Sequence, residues 1–430
     1  MQSLTSNPMN TTTSSLTRRS LLRRALGASG LTLGGGGIQR LAFAEDSAAA
    51  AGRDLLVTIF LRGGCDGLGV LAPVDDPHYR AARQASLRIV EKGERPGLAI
   101  KNGYAGHDWR LHPDAAPLQE LYAHGDLAMI HACGLKNGTR SHFDAQDMME
   151  RGINEQKNLG LGSGWLTRLL DSLPGTGLLP GLSAEGAMPA SLLGCTRAAA
   201  IANLQDFSYY GDDRQMKALR LMHAQSGALG AGGNRMLTLL QEVTKKLPKK
   251  PDGGIAEYLP AKGVNYPEHD FSNTLKTVAQ LSKMEIGLQV AAINYGDWDT
   301  HTGQDYRLND LVANLAKPLH AFYADLAAQR QRTTIVIMSE FGRRLKANES
   351  GGTDHGHGNL MWVLGGGIKG GRCLGSWPGL ANDKLDEHAD LAITTDYRQV
   401  LSEVLMARMR GAEVATVFPG FTPGSPLGVV

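Results

Sequence analysis

Five short runs of consecutive apolar residues punctuate the chain: Leu55–Leu61, Leu127–Ala132, Leu288–Tyr295, Thr333–Met338 and Leu360–Leu364. None alternates apolar with polar positions, so each is the pattern of a strand buried on both faces. Between them apolar residues recur every three or four positions, predicting helices at Ala115–His124, Phe143–Arg151, Ser272–Gly287, Leu308–Arg330 and Thr395–Arg410. Strands alternating with helices predict an α/β fold, with a mostly parallel central sheet covered by helices on both sides. Residues 205–270 break the rhythm, with Tyr209-Tyr210-Gly211, a helical stretch near Met236–Lys246 and the Lys- and Pro-rich Lys245–Pro251. They are expected to form a helical cap insertion within a domain spanning 54–422.

The amino-terminal end does not belong to this pattern. Its first 44 residues hold five arginines and no acid. Thr17-Arg18-Arg19-Ser20-Leu21-Leu22-Arg23 resembles the twin-arginine export consensus, and a short apolar run follows from about Ala25 to Leu33. That run is well under the roughly 18 residues a membrane span needs. Ala42-Phe43-Ala44 has the small-x-small pattern of a cleavage site. Residues 1–44 are therefore expected to be a twin-arginine signal peptide and 45–53 a linker. The mature protein should be periplasmic, meeting the twin-arginine translocase on its way out and keeping no stable membrane span.

Composition then narrows the function classes. The chain has 44 Lys plus Arg against 42 Asp plus Glu. Without the first 44 residues the balance is 39 against 42, mildly acidic, so no nucleic-acid partner is expected. Four scattered cysteines (65, 133, 195 and 373) make no disulfide framework. Glycine is in excess, 54 residues, about twice the usual share of roughly 7%.

Candidate chemistry gathers where strands end, which is where open α/β sheets bind ligands. After the first run comes Arg62-Gly63-Gly64-Cys65-Asp66-Gly67. The second runs into His131 and is followed by Asn137-Gly138-Thr139-Arg140-Ser141-His142-Phe143. After the third comes Asp297-Trp298-Asp299-Thr300-His301, and after the fourth Ser339-Glu340-Phe341-Gly342-Arg343. Thr353-Asp354-His355-Gly356-His357-Gly358 precedes the fifth. Carboxylates and imidazoles converging without thiolates suit a divalent ion, Zn first, with Mn, Ca or Mg as alternatives. Each segment also has a plain reading. Asp66-Gly67 is a common turn, Asp299-Thr300 a good helix cap, and Asp354-His355-Gly356-His357 can be a solvated loop.

Phe60–Leu68, Arg140–Phe143, Trp298–His301, Ser339–Arg343, Gly352–Gly358 and Leu391–Arg398 together resemble the bacterial domain-of-unknown-function 1501 family, over about Asp54 to Arg410. That family looks like a branch of the alkaline phosphatase and sulfatase superfamily. The resemblance implies a three-layer α/β/α sandwich, one or two divalent ions, and a nucleophile attacking phosphorus or sulfur. It assigns Asp66 to the first metal-binding aspartate. It puts the nucleophile in Thr139–His142, with Ser141 first and Thr139 next, Arg140 beside them to hold an anionic ester, and His142 in the same catalytic segment. It makes Asp297 or Asp299 with His301 a metal pair. Where the superfamily has Asp-His-Gly, this chain has Glu340-Phe341-Gly342. The carboxylate stays and the imidazole is lost, so that His355 or His357 from the following loop would replace it, with Asp354 beside them as a further candidate metal ligand. With one ion, more of the work falls to Arg62, Arg140 and Arg343.

The expected activity is metal-dependent hydrolysis of a small anionic ester of phosphate or sulfate. The alternative is a periplasmic binding or assembly protein that keeps the fold without turnover. A phosphomutase-like transferase is a third, weaker possibility.

Overall fold

The computed structural model describes residues 53–430 apart from 156–159, 161, 176, 206, 208, 210, 225 and 226. The expected signal peptide and all of the linker up to residue 52 lie outside the described residues. The strands in chain order are β1 (Leu55–Leu61), β2 (Leu71–Pro73), β3 (Leu98–Ala99), β4 (Trp109–Leu111), β5 (Leu127–Gly134), β6 (Gly181–Ser183), β7 (Ala198–Ala200), β8 (Val290–Tyr295), β9 (Thr333–Met338), β10 (Arg343–Ala347), β11 (Thr353–His355), β12 (Asn359–Gly365), β13 (Arg372–Leu374) and β14 (Thr395–Asp396).

All five apolar runs enter one central sheet, ordered β13-β5-β12-β9-β1-β8-β6-β7, with β14 also paired to β5. β1 lies between β8 and β9, parallel to both. β6 is parallel to β7 and β8, and β5 to β13 and β14. Among the described strands of this sheet β12 alone runs antiparallel, between β5 and β9. It therefore enters the sheet at the rim from which β1, β5, β8 and β9 leave. Segment 353–358 thus meets the strand-end segments at one rim.

Alternation along β1 divides the core. Leu55, Val57, Ile59 and Leu61 pack with Leu275, Val278, Val312 and Leu315 from the helices Asp270–Lys283 and Gln304–Asp325. Leu56 and Phe60 pack on the other face with Met148, Leu169, Val400 and Leu401. Those come from the helices His142–Arg151, Trp165–Ser172 and Tyr397–Arg408. Each large apolar side chain so buried contributes about 1.5–3 kcal/mol. The result is the expected α/β/α sandwich with a largely parallel sheet.

Element ends differ from the sequence pattern for local reasons. The helix expected from Leu308 begins at Gln304, directly after Gly303 in the left-handed region (φ 58°). It stops at Asp325, which is buried and accepts bonds from Lys283, Tyr258, Tyr266 and Ala261. Thr395 and Asp396 are strand rather than helix, because Asp396 caps the helix by accepting from Arg398 N. In the expected insertion, the helices Asp213–Met222 and Ala228–Lys246 are tied by Arg220 to Thr238 and Gln241. Leu239 and Val243 join the first core cluster, Arg235 reaches Thr196 O, and Lys246 reaches Met284 O. Described residues 205–268 make none of the contacts of the rim cluster below. Among the described residues no helix is long and apolar enough to cross a membrane.

Candidate metal centre

The rim cluster starts from two glycines. Gly63 and Gly64 both take positive φ (117° and 69°) as the chain leaves β1. A Cβ at Gly63 would lie 2.4 Å from Asp299 N, and one at Gly64 would lie 2.5 Å from the Phe341 ring. Only glycine lets the turn pass between these two segments. The turn is held by Arg343, whose side chain is wholly buried. Its Nε bonds Gly64 O at 2.6 Å and its Nη1 bonds Thr353 O at 2.8 Å. Its Nη2 meets Gly63 O, Trp298 O and the Asp299 carboxylate. One guanidinium thereby fixes the segments after β1 and β8 and the strand β11.

Three imidazoles surround Asp299, and each has its Nδ1 side occupied by an acceptor. His142 Nδ1 lies 2.7 Å from Glu340 Oε1, His301 Nδ1 lies 3.1 Å from Asp354 Oδ1, and His355 Nδ1 lies 2.9 Å from Arg140 O. Carboxylates and carbonyls only accept, so each Nδ1 carries the proton and, in the neutral ring, each Nε2 keeps a lone pair. The Nε2 atoms turn inward. His301 and His355 face each other at 2.9 Å, and Asp299 Oδ1 lies 3.2 Å from the first and 3.4 Å from the second. His142 Nε2 is 3.6 Å from Asp299 Oδ2, buried and without a hydrogen-bond partner. The ligand atoms of His142, Asp299 and His355 all lie within 4.8 Å of one another.

Two facing lone pairs repel unless a proton or a cation sits among them. Protonation of His355 is disfavoured: its pKa is lowered by burial first, then by the Arg343 charge and the neighbouring imidazoles. Asp299 stays ionised. Burial pushes its pKa up, but the Arg343 hydrogen bond and charge outweigh this and hold it below the usual value. His142 is raised, chiefly by its hydrogen bond to Glu340. Glu340 is lowered: the His142, Gln146 and Gly63 N bonds outweigh its burial. Asp299 Oδ1 and the Nε2 atoms of His301 and His355 are 2.9 to 3.4 Å apart, close to the roughly 3.3 Å edge of a tetrahedron with bonds near 2.0–2.1 Å, and His142 Nε2 approaches the other oxygen of Asp299. The carboxylates and carbonyls that accept from Nδ1 of such imidazoles are the usual second layer of a metal site. The donor set fits a divalent ion.

The cluster therefore unites His142, Asp299, His301, Glu340, Asp354 and His355, in two layers. Other expected residues lie elsewhere. Asp66 is buried in a bidentate pair with Arg83, with Gln304 Nε2 2.5 Å from its Oδ2. That pairing accounts for its lowered pKa, burial being outweighed by Arg83. Asp297 adopts φ 70° and its carbonyl accepts from Arg307. His357 Nδ1 bonds Asp386 Oδ2 at 2.6 Å. Arg140 sends its guanidinium to Asp390 and Glu387 and gives only its carbonyl to the cluster. Ser141 is the N-cap of the helix His142–Arg151, accepting from Asp144 N, and Thr139 Oγ1 accepts from Ser141 N. Arg62 pairs with Glu150 and bonds Gln146 and Asn294. The Phe341 ring packs against those of His142 and His355, 4.8 Å from each, while those two rings meet edge to face at 4.3 Å.

Gln146 escaped the sequence reading. Its Nε2 bonds Glu340 Oε1 at 2.8 Å. The signal was its position one helical turn after His142, on the same helix face. His142 was expected to be catalytic, and here its Nε2 joins the ligand atoms.

Over residues 53–414 the chain matches the family model described as "Protein of unknown function (DUF1501)", and it belongs to that family. No curated protein matches it. Among solved structures it is similar to the C-terminal periplasmic domain of EcEptC from Escherichia coli, at 8% identity and TM-score 0.38, covering 87% of this chain and 88% of that one. It is also similar to the phosphonate monoester hydrolase SpPMH from Silicibacter pomeroyi, at 10% identity and TM-score 0.39, covering 86% and 76%. The PsFucS1 sulfatase from Pseudoalteromonas sp. matches at 10% identity and TM-score 0.28, covering 79% and 68%. Identities this low transfer no chemistry from one protein to another.

Proposed function

We propose that this DUF1501 protein is an exported, metal-dependent hydrolase of phosphate or sulfate esters. One divalent ion, Zn before Mn, Ca or Mg, would be held by Asp299, His301 and His355, with His142 as the fourth ligand. The observation that carries this reading is the set of three Nδ1-anchored imidazoles whose Nε2 atoms converge on one carboxylate.

When bound, the ion supplies Lewis acidity toward an anionic ester oxygen. The chain's own groups do the rest. Glu340 holds the proton on His142 Nδ1, Asp354 orients His301, and Arg140 O orients His355. Arg343 keeps Asp299 charged and in place. Phe341 lays an apolar ring against His142 and His355 where an imidazole ligand was expected, which supports one ion rather than two. Ser141, at a helix amino-terminus beside His142, is the proposed nucleophile, since that position favours an anion.

The test is metal analysis of protein exported from a host with a working twin-arginine system. About one ion per chain is expected, lost in His355→Ala, with turnover of nitrophenyl phosphate monoester, diester or sulfate. Well under one ion per chain, unchanged in His355→Ala, would sink the reading. In the same host, Arg18→Lys with Arg19→Lys should leave the precursor in the cytoplasm.

One observation favours the second reading, a binding protein without turnover. The bond Ser141 Oγ makes is to Asp144 N, and among the described residues no imidazole or carboxylate accepts its proton. Bound metal with no turnover of any ester class would select it.

A further inference from the structure

Two of the segments that carry metal ligands meet over one buried amide. Gln304 opens the helix Gln304–Asp325 and is wholly buried. Its Nε2 donates to Asp66 Oδ2 at 2.5 Å. An ionised carboxylate only accepts, so the amide is oriented with Nε2 toward Asp66 and Oε1 turned the other way. Oε1 accepts from two hydroxyls, Thr353 Oγ1 at 2.6 Å and Thr300 Oγ1 at 3.2 Å. Both threonines are buried as well.

Each threonine sits beside residues of the cluster. Thr300 stands between Asp299 and His301, and Thr353 directly precedes Asp354, two residues before His355. The two segments also touch: a Cβ at Gly352 would lie 2.3 Å from Thr300 O and 2.4 Å from His301 O. Thr353 N bonds Thr300 O at 3.4 Å, and Asn348 Nδ2 reaches both His301 O and Asp354 Oδ1. Unlike Asn348, Gln304 stands on a helix fixed in the core by Leu308, Val312 and Leu315. Groups carried on such an element are held more precisely than groups on a loop. Two hydroxyls that share one acceptor cannot part without breaking a bond. The amide therefore limits how far His301 and His355, whose Nε2 atoms face at 2.9 Å, can separate.

We propose that Gln304 is a positioning residue of the metal centre: through Thr300 and Thr353 it sets the spacing of His301 and His355 that a small, tetrahedrally bound ion requires. The proposal rests on the metal-centre reading, while the spacing itself belongs to the ion-free chain. Gln304 acts through the two threonines and touches neither the ion nor the ester. It also ties the buried Asp66–Arg83 pair to the rim without making Asp66 a ligand.

The test uses the full mature chain with zinc, cobalt and a competing chelating dye. Thr353→Val keeps the shape of the side chain and leaves Oε1 the Thr300 hydroxyl, so the fold should tolerate it. Zinc affinity is expected to fall about tenfold in Thr353→Val, at unchanged stoichiometry, and to return in Thr353→Ser. The visible spectrum of bound cobalt, which reports tetrahedral geometry, should weaken in the same variant. Thr300→Val, which loses the longer bond, should act in the same direction with a smaller effect. A merely structural role would lower the melting temperature of the metal-free protein and leave affinity and spectrum as in wild type, which overturns the proposal. Once Gln304→Met has removed the shared acceptor, Thr353→Val should cost little further affinity; full additivity would take Gln304 out of the path. If wild type takes up no ion, the metal-centre reading fails by itself, and crystals of the ion-free proteins decide the positioning role. The Nε2 separation of His301 and His355 should widen beyond 2.9 Å in Thr353→Val, and an unchanged separation overturns it.

Discussion

Arg343 holds the Asp299 carboxylate at 2.6 Å while its other bonds all go to backbone carbonyls of Gly63, Gly64, Trp298 and Thr353. A guanidinium presents five donors in a fixed plane, and a lysine presents three on one atom. Arg343→Lys therefore leaves several of these acceptors unmatched in a buried place. The expected loss is about 3–5 kcal/mol, read as a lower midpoint in chemical unfolding, with metal content reduced in parallel. Wild-type values for both would remove Arg343 from the assembly of the centre.

Asp354 touches the proposed ion only through His301, yet it fixes which nitrogen of that ring carries the proton. Its side chain is about half exposed, so its removal should cost the fold little, within about 0.5 kcal/mol. Asp354→Ala is expected to weaken divalent-ion affinity about ten- to a hundredfold at nearly constant melting temperature. Competition with a chelating dye measures this directly, and equal affinity would contradict the anchoring role.

Asp66 is expected to serve stability rather than metal binding. Burial alone would raise its pKa, but Arg83 and Gln304 hold it below the usual value. A carboxylate lowered in the folded state contributes stability above its ordinary pKa, and that contribution is lost as pH falls through the folded value. Asp66→Asn should thus be about 3–5 kcal/mol less stable near neutrality. The difference from wild type should narrow below about pH 4. Melting curves across pH test the sign, and metal analysis at pH 7 should give wild-type occupancy.

Ser141 is a helix N-cap and the proposed nucleophile, and one variant separates the two. As an N-cap its loss costs about 1 kcal/mol. As the nucleophile its loss should reduce turnover by about 10³-fold or more with metal content unchanged. If Ser141→Ala turns over normally, attack passes to Thr139 or to water.

Much of the rim was readable in advance because strand ends carry ligands in parallel sheets. The apolar runs named the strands, and Asp299, His301, Glu340, Asp354 and His355 all fell in segments that follow or precede them. What the pattern could not distinguish was direction. An apolar run looks the same in either orientation, and only the antiparallel pairing of β12 with β5 and β9 delivers His355 to the rim. Nor does a carboxylate in sequence reveal its partner. Asp66 and Asp299 each follow a strand, yet one meets Arg83 and the other meets imidazoles.

The sequence by itself determined the element types, the layered α/β fold and the residue classes at the rim, since these follow from local periodicity and turn chemistry. Tertiary structure decided the roles. It turned His142 toward Asp299, spent the Arg140 and Arg343 guanidiniums on holding loops, and bonded His357 to Asp386. Those choices depend on which groups from distant segments meet within about 3 Å, where hydrogen bonds are made, and hydrophobic periodicity does not encode such meetings.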